Sequence, residues 1–301
     1  MGTASPHRTH SARVSPLRRT LRRLEALGRL ARPTNLILIV ATSLSAQLLI
    51  WKEVKDFTPA WTEWSLMVLS TVLIAAGGYW LNDLYDQPID RINRPNRALW
   101  AARAGQRALF STTLIAWMTG ILLGVFLPLE IAFIHLGAMV ALGWYARFGK
   151  RTGLLGNTLI AILTGVVPWE VILLSERTTY SVAWMVPMAI GFNFVRELVK
   201  DAEDLRGDQT YGVRSLPGKL SYKAWQTLLK SLWIALIGLA LLPALVYFIL
   251  WNKLPLMYLA ATLPTVILPL LWGIMEWNNY SFMSLMLKAS MAGGIIALWS
   301  L

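Results

Sequence analysis

The chain has 301 residues, 56% hydrophobic and only 15% charged, with no cysteine and a net charge of +12 at pH 7. Soluble domains carry about 45–50% apolar and about 25% charged residues, so the composition excludes an ordinary soluble domain and points to an integral membrane protein. Without cysteine there is no disulfide, thiol nucleophile, haem thiolate or cysteine–zinc site.

In chain order, residues 1–24 hold six arginines and three serines, with no acidic residue before Glu25. Such a tail resembles an organellar transit peptide. The simpler reading is a basic, flexible cytoplasmic extension over residues 1–32, attracted to anionic lipid. Residues 33–301 form the transmembrane domain. Apolar runs of about 18 residues or more are long enough to span a bilayer. Nine occur, at about 34–51, 65–82, 108–127, 129–146, 154–174, 182–199, 228–250, 254–275 and 280–300. Strand-type alternation is weak, so the expected fold is all-α, a polytopic bundle of nine transmembrane helices with no inserted soluble domain.

With a cytoplasmic N-terminus, the inside segments hold 23 of the 28 Lys and Arg. Eight precede the first span, five lie between spans 2 and 3, three between 4 and 5, and seven around the connection of 6 and 7. The outside segments hold Lys52, Lys55, Arg177 and Lys253. This is the positive-inside pattern, so the positive charge reports topology and no nucleic-acid partner is expected. Trp51, Trp64, Trp80, Trp144, Trp251 and Trp277 fall near span ends, as interfacial anchors do. Of three histidines, His7 and His10 lie in the tail and His135 sits in an apolar run as a packing residue, so no metal cluster is expected from them.

Six of the seven aspartates fall in two stretches. Asp83-x-x-Asp86-x-x-x-Asp90 ends span 2, and Asp201-x-x-Asp204-x-x-x-Asp208 ends span 6, with identical spacing. Steps of three and four residues keep side chains on one helix face. Asn82, Asp86 and Asp90 also form an i, i+4, i+8 row, which rises about 12 Å and is too long for one metal ion. Pro88 and Gly207 are expected to distort the helices where the last carboxylates are offered. Six clustered carboxylates repel one another unless cations intervene, and oxygen ligands without His or Cys suit Mg²⁺. Arg91, Arg94, Arg97, Lys200 and Arg206 stand close by in sequence, so the two motifs suit a pyrophosphate. A third cytoplasmic loop, 144–158, adds Tyr145, Arg147, Lys150 and Arg151. A diphosphate held at the mouth of an apolar bundle implies a lipid diphosphate with its tail among the helices. Metal and cations would stabilise departing pyrophosphate, and aromatic faces would shield an allylic cation.

The segments "NDLYDQPIDRINRPNR" and "DAEDLRGD" resemble the two aspartate-rich motifs of the UbiA superfamily of intramembrane prenyltransferases. The resemblance implies a nine-helix bundle with a lateral opening to lipid and a polar cytoplasmic cap. It makes Asn82, Asp86, Asp204 and Asp208 the leading Mg²⁺ ligands, with Asp90 beside them and Asp83 and Asp201 in the same cluster as catalytic candidates. Arg94, Arg97, Tyr145 and Lys150 match diphosphate-holding residues, and Arg147 and Lys200 are added to that set. "ARPTN" resembles the family's start of helix 1, where Asn35 would look into the cavity, and Arg196 is placed with it towards the acceptor. The expected partners are a prenyl diphosphate, a membrane-soluble acceptor and the bilayer, with the site facing the cytoplasm of a bacterial inner membrane.

"NFVRELVKDAEDLRGDQTYGVRSLP" is similar to the digeranylgeranylglyceryl phosphate synthase branch, which alkylates a glycerol-phosphate lipid. The loop "ALWAARAGQRALF" departs from that branch, so an aromatic acceptor of quinone or chlorophyll type stays open. An ion-coupled transporter would place its charges at broken helices near mid-membrane, and a non-catalytic lipid-diphosphate scaffold would not need both motifs intact. Glu170 and Lys288 lie inside spans 5 and 9. Each is a functional candidate by its depth, with misjudged span ends or, for Lys288, snorkelling as the bland alternatives.

Overall fold

Proline occupies the first turn of α1 (Pro16–Leu30), α2 (Pro33–Glu53) and α4 (Pro95–Ala104). Its fixed φ suits that position and its missing N–H costs nothing there. Side-chain caps start three more helices. Thr179 accepts from Val182 N at α8 (Tyr180–Glu203), Ser221 from Ala224 N at α11 (Tyr222–Trp251), and Asn279 from Phe282 N at α14 (Tyr280–Leu298). The remaining long helices are α3 (Trp61–Asn93), α5 (Gln106–Gly124), α6 (Leu129–Phe148) and α7 (Leu154–Ser175). Short helices α9 (Leu205–Thr210) and α10 (Leu216–Lys219) follow α8, and α12 (Leu256–Thr262) joins α13 (Leu268–Met275) through one π turn, Leu263–Ile267. The computed structural model describes residues 15–213, 215–277 and 279–301, with only the backbone of Lys150.

Among the described residues there is no strand, and nine helical segments are long and apolar enough to cross a membrane: α2, α3, α5, α6, α7, α8, α11, α12–α13 and α14. These are the nine spans expected from the sequence. Large apolar side chains such as Ile115, Met118, Leu122, Val140, Ile249 and Met275 point outwards, as they must where lipid replaces water.

Three differences from the sequence reading shape the site. Helix α3 runs on to Asn93, so its 33 residues rise about 50 Å against a hydrocarbon core of about 30 Å. The first motif therefore lies on the helix itself, well past the expected span end at about residue 82, and the helix carries on through Pro88. The second motif does break, between α8 and α9 at Asp204, three residues before Gly207. Finally, the stretch read as a flexible extension is helical from Pro16. Ala26 and Leu30 of α1 are buried with Ala101 and Ala104 of α4, and Arg29 and Arg103 flank the Trp100 ring at 4.6 and 4.5 Å. Residues 1–14 of that extension, His7 and His10 included, lie outside the described residues.

Small residues let the helices approach closely, as is usual in lipid. On α3 against α5, Ser70 Oγ donates to Gly120 O at 2.7 Å, Thr113 Oγ1 to Gly77 O at 3.3 Å, and Trp117 Nε1 to Ile74 O at 3.0 Å. On the other side of the bundle Trp233 Nε1 donates to Leu270 O at 2.7 Å and Tyr258 OH to Ala240 O at 2.6 Å. Buried Trp and Tyr thereby satisfy their polar ends inside an apolar core.

Candidate active site

One cavity runs through the bundle, walled by α2, α3, α6, α7, α8 and α14. Its walls are mostly apolar, including Leu38, Ile74, Leu142, Ile160 and Leu163, and its mouth is polar. Asn82, Asp86 and Asp90 line it from α3, Asp201 from the last turn of α8, Asp204 from the α8–α9 break and Asp208 from α9. Arg94, Arg97, Tyr145, Arg196, Lys200 and Asn35 line it as well. Most of the expected residues thus meet at one place, although they come from six separate parts of the chain.

Two do not. Asp83 is fully buried but faces away from the cavity: Arg97 Nε donates to its Oδ1 at 2.7 Å, and an Arg32 nitrogen lies 3.7 Å from the same oxygen. A step of one residue from Asn82 turns a side chain about 100° around a helix, which carries Asp83 off the Asn82–Asp86–Asp90 row. Arg147 is exposed, with its guanidinium 5.4 Å from the Phe148 ring, and does not line the cavity. The side chain of Lys150 lies outside the described residues.

The two motifs are stitched together by residues that follow the first. Asn93, the last residue of α3, donates from Nδ2 to Asp204 O at 2.6 Å and accepts from Gly207 N at 2.7 Å. The break between α8 and α9 leaves the Gly207 amide to the Asn93 side chain, while Asp204 O accepts both from Asn93 and from Asp208 N at 3.1 Å. Gly207 is required here, since a Cβ would fall on the Asn93 amide. Arg94 then donates to Asp204 Oδ2 at 2.8 Å, with Glu203 at 3.9 Å. Burial alone would pull the Arg94 guanidinium down, but Asp204, Glu203 and Asp90 outweigh it and hold it above its ordinary range. Arg97 moves the other way, because burial and Arg32 outweigh Asp83 and Asp90.

On α8, Glu197 gathers two cations: Lys200 Nζ donates to its two oxygens at 3.0 and 2.7 Å, and Arg196 to Oε1 at 3.1 Å. Asn157 of α7 donates to Asp201 Oδ2 at 2.8 Å, and the Asn82 amide donates to Asp86. On α2, Asn35 Nδ2 donates to Tyr79 OH at 3.3 Å, and Arg32 lies 4.5 Å above the Tyr79 ring.

A second polar group lies at the far end of the cavity. Thr71 Oγ1 donates to Glu170 Oε2 at 2.9 Å, His135 Nε2 lies 3.2 Å from Glu170 Oε1, and His135 Nδ1 lies 2.8 Å from Ser70 Oγ. The Ser70 hydroxyl hydrogen is spent on Gly120 O, so Nδ1 carries a proton and donates to Ser70. His135 is thus a satisfied buried residue, as expected, and Glu170 is a true intramembrane carboxyl with its partner beside it.

The mouth can hold a divalent cation. Its donors Asn82, Asp86, Asp90, Asp204 and Asp208 are all oxygens on one cavity, and Asp204 Oδ1 is buried without a hydrogen-bond partner. An all-oxygen set suits Mg²⁺, which takes one or two carboxylates and completes its shell with waters and substrate phosphate; among the described residues no three His, Cys, Asp or Glu side chains are grouped to hold an ion by themselves. Asn93, Asn157, Arg32 and Tyr79 escaped the sequence reading. Asn93 left a signal, as the asparagine between the first motif and the Arg-Pro that starts α4.

The profile of the UbiA prenyltransferase family matches residues 36–286. A digeranylgeranylglyceryl phosphate synthase of Sulfurisphaera tokodaii is 31% identical over 191 residues, 60% of this chain and 69% of that one. The same enzyme of Saccharolobus solfataricus is 31% identical over 235 residues, 77% and 82% of the two chains. Two solved structures share the fold. One, of a digeranylgeranylglyceryl phosphate synthase, has a TM-score of 0.66 at 23% identity, over 93% of this chain and 99% of that one. The other, an apo UbiA homologue from Aeropyrum pernix K1, has a TM-score of 0.65 at 14% identity, over 92% and 96%. The chain belongs to the UbiA prenyltransferase family.

Proposed function

We propose that this UbiA-family membrane prenyltransferase transfers a prenyl group from its diphosphate to the hydroxyl of a prenylglyceryl phosphate, with the reacting end on the cytoplasmic side of a cell membrane. The observation that carries the reading is a single cavity with aspartates and arginines at one end and apolar walls below. The 23-to-4 distribution of Lys and Arg supports the orientation, and the similar synthases support the acceptor.

In this reading Asn82, Asp86, Asp90, Asp204 and Asp208 hold Mg²⁺. When bound, the ion neutralises phosphate oxygens and the charge that gathers on departing pyrophosphate. Arg94, Lys200 and Tyr145 grip the diphosphate from the sides. Arg97 does so less freely, since Asp83 holds its Nε and fixes its direction; Asp83 is then a positioning residue for Arg97. The prenyl tail runs down among Ile74, Leu142 and Ile160 towards the hydrogen-bonded Thr71–His135–Glu170 group. Asp86 to Thr71 spans about 22 Å along α3, room for a tail of several isoprene units. The bond from prenyl C1 to the diphosphate oxygen breaks and one from C1 to the acceptor oxygen forms. Asp201, oriented by Asn157, takes the hydroxyl proton. Apolar walls keep water from the allylic cation.

The test is purified protein given a panel of prenyl diphosphates and acceptors, with and without Mg²⁺, and mass spectrometry of the lipids. A Mg²⁺-dependent ether on the glycerol phosphate is expected. A prenylated aromatic ring with no glycerol ether would replace the acceptor, and turnover in EDTA would remove the metal.

A further inference from the structure

The cavity is also lined by a set of cations to which the donor assigns no task. Lys288, on α14, lies about 12 Å from that helix's cytoplasmic start. Its Nζ donates to Asn35 Oδ1 at 2.8 Å, and among the described residues no carboxylate comes within ion-pair distance of it. Asn35 leads through Tyr79 to Arg32. Arg196 and Arg32 line the same cavity as Lys288. Neither arginine has a carboxylate to itself. Glu197 is shared with Lys200, and Asp83 is taken by Arg97. The Nε atoms of Arg32 and Arg196 are both buried without a hydrogen-bond partner. Arg32 also sits in the left-handed region, at φ 55, a strained conformation for a residue with a side chain, and one often kept at a binding site.

Three cations with two orphaned buried donors, inside a membrane bundle, are costly unless an anion joins them. The helices carrying Lys288 and Asn35 are joined at their outer ends by Trp299 Nε1 to Ser45 Oγ at 2.5 Å and Lys52 Nζ to Trp299 O at 3.2 Å. Nearer the cytoplasm, the described hydrogen bond between them is Lys288 to Asn35. We infer that Lys288, Arg196 and Arg32, with Asn35, form a second anion subsite that binds the phosphomonoester of the lipid acceptor, apart from the Mg²⁺–diphosphate site of the donor. This deepens the reading above and rests on it. The subsite sets the preference for a phosphorylated glycerol lipid over a neutral or aromatic acceptor, because a neutral acceptor would leave the cations unpaired.

The test compares the parent, Lys288→Gln and Lys288→Arg on two acceptors that differ only in the phosphate, a prenylglyceryl phosphate and the matching prenylglycerol. Loss of one charge-assisted hydrogen bond should lower the phosphate-over-alcohol ratio of kcat/KM on the order of 10- to 100-fold in Lys288→Gln, and Lys288→Arg should recover much of it. An unchanged ratio overturns the subsite, and so does a rise confined to the KM of the prenyl diphosphate, which would assign Lys288 to the donor. If the parent transfers to neither acceptor, the acceptor reading fails by itself. The subsite is then judged without turnover, by the rise in unfolding temperature that a long-chain alkylglycerol phosphate gives over the alkylglycerol. That rise should be present in the parent and reduced in Lys288→Gln; equal rises overturn the proposal. Should Lys288→Gln not fold, Asn35→Ala removes the partner without removing charge, and should lower the same ratio by a smaller factor.

Discussion

The two aspartate triads have the same spacing and opposite mechanical situations. The first lies on one continuous helix, so its members point by helical phase: Asp86 and Asp90 into the cavity, Asp83 towards Arg97. The second is split at Asp204, and the break turns all three members to the cavity. A break frees backbone groups and needs an outside partner, which Asn93 at the end of the first motif supplies. The intact triad therefore braces the broken one, and equal spacing does not mean equal roles.

The largest expected effect bears on what the triads share. Chelation of divalent ions, or Asp86→Asn, should abolish nearly all prenyl transfer, and the asparagine variant should melt no lower than the parent because carboxylate repulsion is relieved. Activity assay and thermal unfolding check both; near-parent turnover would take Asp86 out of the metal site. Asp204→Asn should cost as much activity but also lower the unfolding temperature, because Arg94 loses the carboxylate it holds at 2.8 Å. Equal stability in the two variants would erase the mechanical contrast between the motifs.

Next comes the pair at the head of each triad. Asp83→Asn removes the carboxylate nearest Arg97, leaving only Asp90 at 3.8 Å, and should destabilise by about 3 kcal/mol. Asp201→Asn should change stability little and fall mainly in kcat. Denaturant titration beside steady-state kinetics would separate the two, and a reversed pattern would exchange their roles. Asn93→Ala should destabilise by about 1–3 kcal/mol, since the Gly207 amide at the break loses its partner, and should raise the Mg²⁺ concentration needed for half-maximal rate. The smallest effect belongs to Arg147→Ala: exposed and off the cavity, it should leave the rate within about twofold and stability within about 0.5 kcal/mol.

Much of this was legible in the order of residues. Spans are set by local hydrophobicity, so nine apolar runs yield nine crossing segments. Charge asymmetry and the gathering of six aspartates into two triads are likewise properties of the string, and they located the mouth. The reading went astray where a property depends on a neighbour far along the chain. Pro88 and Gly207 were both expected to distort their helices; α3 carries on past the proline to Asn93, while the second stretch breaks at Asp204, three residues before the glycine. Proline is tolerated inside a membrane helix when packing and local backbone adjustment absorb the lost bond, and no local rule reveals that. Residues 16–30 look like a polar tail, but Ala26 and Leu30 find an apolar face on α4.

The sequence by itself determined the class, the spans and the chemical inventory of the mouth, because hydrophobic transfer and charge act residue by residue. Tertiary structure alone decided direction and partnership. It turned Asp83 to Arg97 and Asp204 to Arg94, set Asn93 under the α8–α9 break, paired Glu170 with His135, and brought Lys288 to Asn35 across 253 positions. Hydrogen bonds and ion pairs act over about 3 Å, so which groups meet at that range depends on how the helices rotate and cross, and small-residue contacts such as Gly77–Thr113 and Ser70–Gly120 set that arrangement only after the spans are in the membrane.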